Sequence, residues 1–142
     1  MLCSSFYIKS TTIELKRNMY RNGLQLIMNF IAKQDEWTWR LYYDDSVLSD
    51  NLILDLFNKM MDTGKIELVR YDWPAFKEEI GHKEHIGTIV RFFPVFYETH
   101  KMIRIIDIDV EDEKVILSSN IYKLMSKYGV PIYGGSSTRK VL

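Results

Sequence analysis

A chain of 142 residues, 46% of them hydrophobic, suits one domain spanning 1–142 and excludes a disordered segment. Its 19 basic and 19 acidic residues give a formal net charge of +0, which argues against a general nucleic-acid binder with its usual basic excess. One cysteine, Cys3, allows no intrachain disulfide, the N-terminus lacks signal-peptide order, and no apolar run approaches the roughly 18 residues of a membrane span. A cytoplasmic protein with no membrane span is therefore expected.

The pattern alternates between strand and helix. Residues 3–8 (CSSFYI) read as a first strand. Met19, Leu24, Ile27, Met28 and Ile31 are spaced for one face of a helix over 18–33. The aromatic, β-prone run WTWRLYY (37–43) predicts a second strand. Asp45, Ser46, Ser49 and Asp50 are candidate N-caps for a helix carrying Leu52, Leu56, Phe57 and Met60, which Gly64 is placed to end. IELVR (66–70) predicts a third strand. A helix over 83–92 follows, stopping near Pro94, and then a fourth strand over 101–107. Another helix is expected from about Asp112 to Tyr128, capped by Gly129, with a fifth strand or loop opening over 130–135. Such alternation implies βαβ crossovers and a mostly parallel sheet, with ligands beyond the C-terminal ends of the strands.

Residues 103–112 (IRIIDIDVED) are an apolar strand ending in acids. Asp107 and Asp109 flank Ile108, and on extended backbone residues two apart point the same way. Both carboxylates could then reach one ion. Their hard oxygens favour Mg²⁺ or Mn²⁺ over Zn²⁺, with water and substrate phosphates completing the shell. The alternative is a solvated strand end whose Asp109 or Asp112 caps the next helix. Glu111, Asp112 and Glu113 suit the positive end of that helix better than a metal. Arg91, set among apolar neighbours in GTIVRFFPVF (87–96), could clamp a carboxylate or phosphate, or simply cover apolar surface with its stem. His82 and His85 lack a third strong ligand for a metal. Trp37, Trp39, Tyr42 and Tyr43 are expected to pack in a strand, Asp44 and Asp45 to shape a turn and cap, and Cys3 to fill the core. No dinucleotide-binding, P-loop or nucleophile-elbow glycine motif is present.

Five pieces then stand in order: YRNGL (20–24), WTWRLYYDDS (37–46), GKIELVRYDWPAF (64–76), HIGTIVRFFPVF (85–96) and IRIIDIDVED (103–112). From about Tyr20 to about Gly135 the chain resembles the nucleotide-binding half of GT-A glycosyltransferases, like those of large DNA viruses and microbes. The resemblance implies an α/β, Rossmann-like three-layer sandwich with a mostly parallel sheet and without the acceptor-binding half. It also implies a nucleotide-sugar donor, an acceptor left unknown, and Mn²⁺ or Mg²⁺ as cofactor. Carried over, Asp109 is the direct metal ligand, Asp107 touches the metal or the ribose, and Arg91 contacts the nucleotide-sugar. No residue is nominated as general base. The chain ends about 30 residues after Asp112, so a partner chain or self-association through an exposed apolar patch is expected. Two other readings stay open. One is a phosphatase of the haloacid-dehalogenase type with Asp107 as nucleophile. The other is a non-catalytic remnant that binds or assembles.

Overall fold

The structure, a computed structural model, describes residues 1–72, 87–97 and 102–116. Strand β1, Leu2–Phe6, is short and almost wholly buried. Its one polar interior group is satisfied, because Ser4 Oγ accepts from Trp39 Nε1 at 3.1 Å. Helix α1 runs Glu14–Ala32 and buries Leu24, Ile27, Met28, Phe30 and Ile31. It begins four residues before the expected start. Its first turn carries exposed Ile13 and Leu15, which hide the onset from a reading based on apolar periodicity. Glu14 in that turn suits the helix dipole.

Strand β2, Trp39–Tyr43, is the aromatic run, and Trp37, Trp39 and Tyr42 are buried there as packing residues. Asp44 then caps a 3-10 turn, Asp45–Ser49, by accepting from the Ser46 N–H. Asp50 caps helix α2, Asn51–Met61, accepting from the N–H groups of Leu52 and Ile53 at 3.1 and 3.3 Å. After α2 the chain turns at Gly64, whose φ of 64° favours glycine. Strand β3, Ile66–Arg70, follows as expected.

Residues 87–92 are helical, ending in a 3-10 turn, Val90–Phe92; positions 83–86 of the expected helix lie outside the described residues. Pro94 does not only stop a helix. It opens a short one, α3, Pro94–Tyr97, a place where its missing N–H costs nothing. Strand β4 is shorter than expected, Arg104–Ile105, although the Ile106 N–H still donates to Cys3 O at 3.0 Å. Helix α4, Glu113–Ile116, starts where a helix was expected. The stretch on to Tyr128 and Gly129, the segment 130–135, and His82 and His85 lie outside the described residues.

The sheet is all parallel, in the order β3-β2-β1-β4. The α/β architecture with a parallel, Rossmann-like sheet is thus present. Helices α1 and α2 pack together, and the turn Val90–Phe92 contacts β1 and β2; the usual right-handed crossover between parallel strands would set α1 and α2 on one face of the sheet. Leu2, Phe6, Leu24, Ile27, Ile31, Trp39, Leu41, Ile53 and Met60 form the centre of the core, each contributing about 1.5–3 kcal/mol by leaving water. Cys3 is buried among them. No helix among the described residues is long and apolar enough to cross a membrane.

Candidate functional site

Strand order decides where a ligand can sit. The chain leaves β1 toward β2 on one side and returns to β4 on the other, so the connections diverge between β1 and β4. Beyond the C-terminal ends of two such strands a crevice opens. Here it is a cleft of about 300 Å³, lined by Ser5, Phe6, Tyr7 and Lys9 after β1 and by Asp107, Ile108 and Asp109 after β4. Tyr20 of α1 and Thr88 and Arg91 of the 87–92 helix close its sides. The three residues singled out in the sequence, Arg91, Asp107 and Asp109, therefore meet in one place.

Each acid is held by a different cation. Arg91 Nη1 donates to Asp107 Oδ1. Lys16 Nζ donates to Asp109 Oδ2 at 2.6 Å. Asp107 stays open to water, its side chain 69% exposed, whereas the Arg91 side chain is 17% exposed. The guanidinium lies over the Phe92 ring at 5.7 Å, and its buried Nε finds no hydrogen-bond partner among the described residues. Lys16 lies 5.1 Å from the Tyr20 ring centroid, and that ring meets Phe6 edge-on. Burial pushes the Tyr20 hydroxyl above its ordinary pKa, partly offset by Lys16, so it enters the cleft as a neutral donor.

A single close contact sets the acids against α1. A Cβ built on Gly23 would lie 1.7 Å from the Ile108 carbonyl oxygen. Only a glycine lets the backbone of 107–109 rest on the helix there. Lys16, Tyr20 and Gly23 are four and three residues apart, and so form one stripe of α1. The stripe carries the strand-end loop at its glycine and pairs with its last acid two turns earlier.

The opposite lip is fixed from β2. Ser46 Oγ accepts from the Ile8 N–H at 2.8 Å and donates to Asp44 Oδ1. Asp44 is thus the expected turn-and-cap residue, and it also anchors the segment that presents Tyr7 and Lys9. Asp45 makes a two-bond pair with Arg70 at 2.6 and 2.7 Å, away from the cleft lining. Gly87 leaves room for the Tyr7 ring, which a Cβ would approach to 2.5 Å, and for the Tyr71 hydroxyl at 2.8 Å. Burial pushes the Tyr71 hydroxyl well above the ordinary tyrosine range.

The donor set suits a hard divalent cation that arrives with oxygens of its own. Two carboxylates line the cleft, and no group of three or more His, Cys, Asp or Glu able to hold a metal occurs among the described residues. Glu111 and Asp112 are exposed, and Glu113 lies in the first turn of α4. Lys16, Lys9, Tyr7 and Tyr20 were not singled out in the sequence. The usable signal was Gly23, a lone glycine inside a helical pattern, which usually marks a close backbone approach. No family model, curated protein or solved structure matches the chain.

Proposed function

We propose that the chain is a nucleotide-sugar-binding module of the GT-A glycosyltransferase type. The observation that carries this reading is the meeting of Arg91, Asp107 and Asp109 in one cleft at the point where the strand connections diverge. Asp107 and Asp109 would hold Mn²⁺ or Mg²⁺, which, when bound, supplies positive charge against a departing diphosphate. The chain's own part follows from its side chains. Arg91, packed on Phe92, places a planar donor fork at the cleft wall, suited to phosphate oxygens. The Tyr7 and Tyr20 rings give flat apolar surface for a nucleoside beside hydroxyls that can donate. The chain binds the donor at the acids, and a partner chain or second copy supplies the acceptor side.

The test is thermal melting with uridine and guanosine diphosphates, with and without Mn²⁺. A nucleotide at about 100 times its Kd stabilises the fold by about 2.7 kcal/mol, a shift of several degrees. The shift should need Mn²⁺ and should vanish in Asp109→Asn. Nucleotide binding of equal strength in Asp109→Asn would overturn the assignment. A stable phosphoryl group trapped on Asp107 would move the protein to the phosphatase class.

A further inference from the structure

The acids of the cleft are already neutralised by the chain itself, and this bears on what can enter. Arg91 takes Asp107 and Lys16 takes Asp109. With Lys9 also on the wall, these five groups carry one net positive charge. A bare divalent cation would have to displace two ammonium or guanidinium groups and leave them facing it. A bare diphosphate would approach three cations but also two carboxylates, with Asp107 the more open. Each half of the ligand alone meets the charge that repels it.

We propose that the cleft works by ion-pair exchange, with Lys16 as its second anion-binding residue. Asp107 and Asp109 would hold a divalent cation, and Arg91 and Lys16, released from those carboxylates, would turn to the phosphate oxygens that came with it. The species recognised is the preformed complex of a diphosphate with its cation. Lys16 suits this role because its side chain is 36% exposed and sits on the first turns of α1, above the Tyr20 ring. It can swing without unpacking the core. The exchange rests on the metal-and-diphosphate reading above and adds a specific sign. Lys16 opposes binding of the cation alone and supports binding of the pair.

The experiment is calorimetric titration of the full chain with Mn²⁺ alone, inorganic pyrophosphate alone, and Mn²⁺ at saturating pyrophosphate, in the parent, Lys16→Met and Lys16→Arg. In the parent, pyrophosphate should tighten Mn²⁺ on the order of tenfold, and Mn²⁺ should tighten pyrophosphate equally, since the linkage is reciprocal. In Lys16→Met, Mn²⁺ alone should bind about threefold tighter, the value of a partly exposed ion pair, while the mutual enhancement shrinks. Lys16→Arg should keep the parent pattern. Weaker or unchanged Mn²⁺ binding in a folded Lys16→Met would overturn the exchange while leaving the two carboxylates as ligands. Absence of Mn²⁺ binding in all three proteins would overturn both the exchange and the metal reading.

Discussion

The two sides of the sheet are built differently. Between β2 and β3 five residue pairs stay in register, from Trp39 with Ile66 to Tyr43 with Arg70, and β1 pairs with β2 over another five. Between β1 and β4 only two pairs form, Leu2 with Arg104 and Cys3 with Ile105. The first side is held by ladders, a helix pair and the buried Asp50, which Arg21 reaches at 2.5 Å. The second is held by a glycine contact and two ion pairs. The candidate chemistry lies on the second side. A short strand frees the backbone beyond Ile106 from the ladder, so that Asp107 and Asp109 can line the cleft while Ile106 and Ile108 stay in the core and Gly23 of α1 supports the loop. The shorter pairing lies on the side where the proposed binding would need groups able to exchange partners.

The largest effect should come from Gly23→Ala. Helix propensity alone would favour alanine by about 1 kcal/mol, but its Cβ would strike a backbone carbonyl that cannot rotate away. A net loss of about 3 kcal/mol is expected, concentrated on the weak side. Amide exchange should rise at Arg104 and Ile106 far more than at Leu41 or Val69. Equal acceleration on both sides would erase the distinction.

Asp50→Ala attacks the strong side. It removes the cap of α2 and leaves the Arg21 guanidinium without its buried partner, for a loss of about 2 kcal/mol, read from a denaturant midpoint. The same carboxyl predicts a pH dependence. Burial pushes its pKa up, but the Arg21 guanidinium and the N–H groups of Ile53 and Leu52 outweigh that and hold it below the ordinary value of 3.8. Its stabilisation is therefore complete above the unfolded value near pH 3.8 and is lost as pH falls through the lower folded value. In Asp50→Ala that part of the acid loss should disappear.

Arg91→Lys sharpens the comparison from the ligand side. It keeps the charge beside Asp107 but not the fork, so melting should change little while pyrophosphate binding with Mn²⁺ weakens about tenfold. A mutant that unfolds would make Arg91 a structural residue. The smallest effect belongs to Arg40→Gln, which breaks an exposed cross-strand contact with Glu67 at 2.6 Å on the laddered side. Less than about 1 kcal/mol is expected, with no change in ligand binding.

The sequence made the strong side legible because its signals are local. WTWRLYY and IELVR are β-prone runs, and Asp50 and Gly64 mark the ends of α2 within a few residues of what they control. The weak side depends on distant contacts. Lys16 lies 93 positions before the acid it binds, and nothing in its neighbourhood distinguishes it from any exposed lysine on a helix. The acids themselves were visible as the polar end of an apolar run, and Arg91 as a cation in an apolar segment. Their meeting with each other and with Arg91 was inferable from fold class and position; the pairing of Asp109 with Lys16 was not. Pro94 stops one helical segment as its position suggested; that its rigid φ also begins another was not legible in the local sequence.

Strand order also has a consequence for time. β1 is made first but lies in the middle, and its outer neighbour is about a hundred residues away, with Met1 donating to the Met102 carbonyl at 3.0 Å. The unit β1-α1-β2-α2-β3 closes short loops and can gather its core while later residues are still being synthesised. Until residues 104–109 arrive, one edge of β1 and the Gly23 stripe of α1 stay uncovered. The cleft can therefore be completed only after residues 104–109 have been made, and a nascent chain stalled before Arg104 is expected to lack the strand that covers this edge of β1.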